Sequence, residues 1–83
     1  MKLDIRYFAW LRERIGTASE TIDTEATTVA ALIEDLKSRG DAHAFALSDL
    51  SSIRAAVDQE LVDFTAPLAD AREVAFFPPM TGG

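Results

Sequence analysis

The sequence contains no cysteine. This absence excludes disulfide bonds, metal sites built from thiolates and a cysteine nucleophile, and it is compatible with the cytoplasm, where we expect the protein to work. Basic residues are also scarce, with 8 Lys and Arg against 14 Asp and Glu and a net charge of −6. Nucleic-acid-binding proteins present basic surfaces to phosphate, so we expect no nucleic-acid partner.

Long apolar runs are missing as well. None approaches the roughly 20 residues that a membrane-spanning helix requires, so we expect no membrane partner. Charged residues interrupt the apolar ones over residues 1–6, and we therefore expect no signal peptide. The chain has 83 residues, of which 48% are apolar, and this predicts a single domain over residues 1–83 whose core depends on packing alone.

The apolar residues follow the periods of strands and helices. Leu3, Ile5 and Tyr7 alternate with other residues, which predicts a first strand with one buried face. The other predicted elements are a short helix over residues 9–15, a strand over 19–23, a main helix from residue 29, a short helix over 41–47, strands over 53–57 and 73–77, and a hairpin return at 61–62. Strands on both sides of a packed helix, in fewer than ~90 residues, predict an α+β domain with one mixed sheet and the helix on one face.

Several residues mark the predicted helix boundaries. Gly16 is expected to end the first helix, and Thr28 to cap the main one. The apolar stripe of the main helix, at i, i+3, i+4 and i+7, consists of Val29, Leu32, Ile33 and Leu36. Asp41 is expected to cap the second short helix.

Residue parity predicts an apolar patch on the sheet face that no helix covers. Phe8 has the parity opposite to Tyr7, and Phe77 has the parity opposite to Phe76. If the first and last strands are neighbours, Phe8 and Phe77 lie on the same outer face, where Leu61 of the hairpin can join them. Such a patch often marks a partner surface. The alternative is that each side chain packs under a loop.

The chain ends at Thr81, Gly82 and Gly83, shortly after Pro78 and Pro79. Pro78 is expected to end the last strand because proline lacks an N–H donor. The two glycines accept almost any backbone conformation, so they can enter a slot too narrow for other residues. We therefore predict that residues 79–83 form an extended tail reaching roughly 16 Å, at ~3.3 Å per residue, and that the Gly83 carboxylate is the reactive group.

The run from Val74 through Phe76, Phe77, Pro78 and Pro79 to Gly82 and Gly83 resembles the carboxyl end of the small, sulfur-carrier subunits of molybdopterin synthases. Residues 7–13 are similar to the first strand and turn of that family, and residues 55–62 to its hairpin. The resemblance covers essentially the whole chain. It implies the β-grasp, ubiquitin-like fold, with the first and last strands parallel at the centre of the sheet.

The resemblance also implies a chemistry. An adenylating enzyme uses ATP to convert Gly83 to an acyl-adenylate, and a sulfur donor protein then displaces AMP to leave a thiocarboxylate. The tail enters the large synthase subunit, which carries most of the active site, and sulfur passes to a cyclic pyranopterin precursor in molybdenum cofactor biosynthesis. The chain itself is expected to bind no cofactor or metal and not to be an enzyme alone.

Partner-binding residues follow from the matched positions. The apolar contacts are Phe8, Leu61 and Phe77, with Arg12 as a basic contact, and the tail adds Pro78, Pro79, Met80 and Thr81 before the reactive Gly82 and Gly83. The chain departs from the family pattern at four positions. Ala71 replaces a glycine that would ease a positive φ in the turn before the last strand, and Arg72 replaces an aspartate, so the charge near the sheet edge changes sign. Asp58 replaces a common asparagine and Met80 a common valine.

Two alternatives share the same terminus. The chain could be a ubiquitin-like modifier that forms amide links to lysines through Gly83, or a sulfur carrier for thiamin or another pathway. No phosphate-binding glycine loop and no nucleophile–base pair is evident. His43, the only histidine, lies in an alanine-rich stretch and is expected at the surface.

Overall fold

The computed structural model describes residues 1–79. The strands are β1 (Lys2–Tyr7), β2 (Ser19–Asp23), β3 (Arg54–Val57), β4 (Glu60–Val62) and β5 (Glu73–Phe77), and the helices are α1 (Ala9–Ile15), α2 (Val29–Lys37) and α3 (Asp41–Ala46), with a 3₁₀ turn at Leu50–Ser52. The predicted order of elements is confirmed.

The strands form one mixed sheet in the order β2-β1-β5-β3-β4. β1 and β5 are parallel neighbours, and Tyr7 lies opposite Phe76. The other three pairings are antiparallel. The adjacency of the first and last strands, on which the predicted apolar patch depends, is therefore confirmed.

Helix α2 supplies the helical side of the core. The Thr28 hydroxyl accepts a hydrogen bond from the Ala31 N–H at 3.1 Å and so caps the helix, as predicted. All four residues of the stripe that begins at Val29 are fully buried. They pack against the inward residues of the central strands, which include Leu3, Ile5, Tyr7, Val74 and Phe76.

One local prediction is wrong. Asp41 is the first residue of α3 rather than its cap; Gly40 holds that position, and no side chain caps the helix. The turn before β5 is the place where a glycine of the family pattern is replaced by Ala71. Here the positive φ is at Ala69 (27°), and the Ala71 N–H donates to the Leu68 carbonyl, so residues 69 and 70 form the centre of the turn and Ala71 is buried.

Within residues 1–79, no helix is long and apolar enough to cross a membrane.

Candidate functional site at the end of the last strand

The carboxyl end of β5 lies beside the carboxyl end of β1. Tyr7 of β1 lies opposite Phe76 of β5. The pairing extends one residue further, because the Phe8 N–H donates to the Phe76 carbonyl at 3.1 Å. Phe8 and Phe77 are therefore neighbours at one end of the sheet. Ala9 has a φ of 54°, a left-handed conformation, and the chain turns there from the strand into α1.

Phe8, Leu61 and Phe77 lie on the face of the sheet opposite the helices. Phe77 is opposite Arg54 and Leu61 is opposite Ala56, so both follow the parity of the outer face. Phe8 is 49% exposed and Leu61 is 67% exposed, whereas the inward-facing Phe76 has no exposed surface. The predicted placement is confirmed, and Phe8 and Leu61 are not covered by a loop.

We call these three residues, with Ala56 and Ala75 between them, the outer apolar patch. Ala75 is opposite both Arg6 on β1 and Ala56 on β3. The two central positions carry alanine, and the larger apolar side chains lie on either side of them. An exposed apolar surface of this kind often marks the binding site of a protein partner.

Charged residues occupy the other end of the same face. Arg6 contacts Glu73 at 3.0 Å and Asp4 at 3.5 Å, and all three come from the two central strands. The outer face is therefore acidic and basic near the start of β5, whereas near its end the apolar residues lie beside a single exposed base, Arg54, among the described residues of β1, β3, β4 and β5. Arg12, the predicted basic contact, is exposed on α1, and its role in binding a partner stays a prediction.

The hairpin that carries Leu61 is attached to the start of β5 through Asp58. The two turn residues, Asp58 and Gln59, have φ values of 48° and 71°, so strand β4 begins directly after them. One Asp58 carboxylate oxygen accepts hydrogen bonds from the Arg72 and Glu73 N–H groups, both at 3.0 Å. Asp58 thereby attaches the turn between β3 and β4 to the start of β5.

We expect Asp58→Ala to lower the free energy of unfolding by about 1–3 kcal/mol, because two backbone donors lose their acceptor and alanine disfavours a positive φ. Asp58→Asn keeps an acceptor oxygen and tolerates that conformation, so it should cost less than half as much. Urea unfolding of both variants measures the difference. A stability of Asp58→Ala equal to that of wild type would show that these hydrogen bonds contribute nothing.

A polar cluster on the inner side of the sheet was not predicted. The Tyr7 hydroxyl donates to Glu20 Oε2 at 2.7 Å, and His43 Nε2 lies 2.7 Å from the same oxygen. An ionised carboxylate only accepts, so His43 carries its proton on Nε2. The His43 side chain is 17% exposed and packs edge-on against the Tyr7 ring, which corrects the expectation of a surface residue. The cluster joins α3 to the sheet.

Hydrogen bonding decides the ionisation of this cluster. Burial alone would raise the pKa of Glu20, but the hydrogen bonds from His43 and Tyr7 outweigh it and hold that pKa below its usual range. Burial raises the pKa of the Tyr7 phenol, and the hydrogen bond to Glu20 raises it further, so Tyr7 stays neutral. The cluster is satisfied internally, which is typical of a structural role rather than a catalytic one.

Because the folded pKa of Glu20 is depressed, its ionised form stabilises the protein above the unfolded pKa of about 4.3, and this stabilisation is lost as the pH falls through the folded value. We expect Glu20→Gln to lower the unfolding free energy by about 1–3 kcal/mol at pH 7, with the gap to wild type closing in acid. Urea unfolding at several pH values tests this, and Glu25→Gln, at an exposed position, is the matched control. A gap that is constant with pH would contradict the assignment.

The remaining predicted site residues are at positions 78–83, and the structure describes the chain as far as residue 79. Pro78 and Pro79 directly follow β5 and are half-buried. Met80, Thr81, Gly82 and Gly83 lie outside the described residues. Within residues 1–79, no three potential metal-ligating side chains come together.

Comparison with known proteins gives concordant results. Residues 5–83 match the model of the ThiS family. The chain is 43% identical over 81 residues to the molybdopterin synthase sulfur carrier subunit of Escherichia coli, which covers 98% of this chain and 99% of that protein. It is 35% identical to the protein of the same name from Haemophilus influenzae, with the same coverage.

The fold is also shared with a solved structure. The crystal structure of SAMP1 from Haloferax volcanii superposes with a TM-score of 0.75 at 25% identity, covering 100% of both chains. This likeness confirms the predicted ubiquitin-like β-grasp fold. With a family match that extends over nearly the whole sequence and two relatives above 30% identity, the chain belongs to the ThiS family of sulfur carriers.

Proposed function

We propose that this protein is the sulfur carrier subunit of a molybdopterin synthase. In the first step the Gly83 carboxylate attacks the α-phosphate of ATP on a separate activating enzyme, and pyrophosphate leaves. The terminal sulfur of a persulfide on a donor protein then attacks the acyl carbon, and AMP leaves. A thiol attacks the donor sulfur of the resulting acyl disulfide, which breaks the S–S bond, leaves the donor as a disulfide and releases Gly83 as a thiocarboxylate. Attack of that sulfur on a carbon of the cyclic pyranopterin precursor displaces an oxygen leaving group and forms a thioester. Water then cleaves the thioester, which leaves the sulfur on the product and returns the Gly83 carboxylate.

The activation step is needed because a carboxylate is a poor electrophile and is ionised at neutral pH, with a reference pKa of about 3.3–3.7. Nothing in this mechanism requires a cofactor bound by the chain, and ATP is used by the activating enzyme. An ATP-dependent pathway also supports our proposal that the protein works in the cytoplasm.

One observation carries the proposal: the strand that leads to the terminus is the central strand of the sheet, and its carboxyl end adjoins the outer apolar patch. A partner that covers Phe8 and Phe77 is thus placed beside Pro78 and Pro79. The names of the two curated relatives support the same conclusion. We propose that the large synthase subunit covers the patch and receives the tail.

Reconstitution tests the proposal. Thiocarboxylated protein is mixed with the purified large subunit and the pyranopterin precursor, and loss of the thiocarboxylate is followed together with formation of the dithiolene product. We expect both to require the large subunit and to occur in proportion. A thiocarboxylate that persists in the complete mixture would contradict the proposed role.

The likeness to SAMP1, a small archaeal modifier protein, favours a second candidate function. A ubiquitin-like modifier would use the same terminus to form amide bonds with lysines. It would leave Gly-Gly remnants on target lysines after digestion, which peptide mass spectrometry detects. A carrier for thiamin or another pathway would not copurify with a large molybdopterin synthase subunit.

A further inference from the structure

A second surface lies beside Pro78 and Pro79, on the side of the sheet that carries α1 and α3. It is a groove of about 480 Å³ whose walls include Trp10 and Arg14 from α1, Phe45 from α3, and Pro78 and Pro79. Phe45 is 65% exposed, as open to solvent as Leu61 of the outer apolar patch. We call this surface the aromatic–arginine groove.

Arg14 is held by two aromatic rings. Its guanidinium carbon lies 4.6 Å from the centre of the Trp10 ring and 5.1 Å from the centre of the Phe45 ring. These cation–π contacts fix the side chain but satisfy none of its N–H donors. Among the ion pairs of residues 1–79, none includes Arg14. A planar guanidinium fixed in this way favours a carboxylate as its ligand, because the two can form paired hydrogen bonds.

Asp49 is the acidic residue among the described residues that line the groove, and its carboxylate already accepts hydrogen bonds from neighbouring residues. The Asp49 carboxylate accepts hydrogen bonds from the Ser51 N–H at 3.1 Å, the Ser51 hydroxyl at 2.6 Å and the Ser52 hydroxyl at 3.0 Å. The hydrogen bonds from Ser51 and then Ser52 hold the pKa of Asp49 below its usual range. The Asp49 carboxylate is therefore bonded within its own turn, and among the ion pairs of residues 1–79 none joins it to Arg14.

We propose that the aromatic–arginine groove binds a segment of the large synthase subunit in which a carboxylate stands beside an apolar side chain. The inference rests on the proposed function, because a protein that encloses the tail must pass Pro78 and Pro79, and these form one wall of the groove. The outer apolar patch and the groove flank the same strand end on opposite faces. One partner that covers both surfaces contacts the chain around Pro78 and Pro79 from both faces of the sheet. These contacts set the direction in which Gly83 enters the partner.

The test compares affinities for the purified large subunit. Arg14→Glu and Phe45→Ala should each weaken binding about tenfold or more, as expected for the loss of a central charged or aromatic contact. Arg72→Glu makes the same change of net charge at the opposite end of β5 and should leave the affinity within about twofold, as expected of a charge outside the contact. Thermal unfolding of every variant checks folding, and Arg14→Gln is used if Arg14→Glu is unstable.

The outcomes separate this inference from the proposed function. If wild type binds, Phe8→Asp disrupts binding, and the groove variants bind like Arg72→Glu, the groove proposal is overturned and the proposed function stands. The groove proposal is also overturned if the groove variants lose affinity for the activating enzyme but not for the large subunit. The same holds if their only effect is to dissociate a dimer of this chain. If wild type does not bind the large subunit at all, both proposals fail.

Discussion

Deletion of Gly83 is expected to abolish sulfur transfer and to leave folding unchanged. The reacting carbonyl carbon belongs to this residue in the proposed mechanism, and without it the carboxylate of Gly82 ends about 3.3–3.6 Å short of the reactive position. A displacement of even 1 Å can cost about 100-fold in rate, so we expect a loss of at least three orders of magnitude in the rate of product formation.

The control for this deletion is stability. The core residues all lie at or before Phe76, so thermal unfolding of the shortened chain should match that of wild type. Complex formation with the large subunit, measured separately, should weaken far less than transfer does, because the outer apolar patch is intact. Appreciable transfer by the shortened chain would refute the assignment of Gly83 as the reactive residue.

Phe76 and Phe77 provide a matched pair for the second prediction. They are adjacent and chemically identical, but Phe76 is fully buried and stacks on Tyr7 with ring centres 6.4 Å apart, whereas Phe77 faces outward. We expect Phe76→Ala to lower the unfolding free energy by about 3–5 kcal/mol. Phe77→Ala should change it by less than about 1 kcal/mol and instead weaken binding of the large subunit about thirtyfold or more, as at a hot spot.

Phe8→Asp extends the same test from the neighbouring strand. Phe8 is half-exposed, so an aspartate at this position places no charge in the core. It is also the N-cap residue of α1, where no side chain caps the helix at present. Binding should fall as it does for Phe77→Ala while stability is maintained. Chemical denaturation and calorimetric titration together measure both quantities. A loss of stability at position 77 comparable to that at position 76 would place Phe77 in the core and contradict the interface.

Local signals in the sequence predicted most of the fold. The alternation around Ile5 and the stripe that starts at Val29 are properties of consecutive residues, and the hydrogen bond to the Thr28 hydroxyl spans only three positions. Parity alone placed Phe8 and Phe77 on the outer face once β1 and β5 were neighbours. That adjacency is a long-range property, and the resemblance to a known family predicted it where periodicity did not.

The features that were missed depend on residues distant in the sequence. Glu20 meets Tyr7 and His43 across three elements, and the only local signal was a glutamate with the same inward parity as Ile22. The aromatic–arginine groove likewise needs α3 to bring Phe45 to α1. Trp10 and Arg14, at i and i+4 on one helix face, were the part of it visible in the sequence.

Intact mass spectrometry of the protein after incubation with its activating enzyme, ATP and a sulfur source tests the central claim most directly. We predict a mass increase equal to the exchange of one oxygen for sulfur, located at Gly83 by fragmentation and absent without ATP. An unchanged mass in the complete reaction, or a mass change located at another residue, would contradict it.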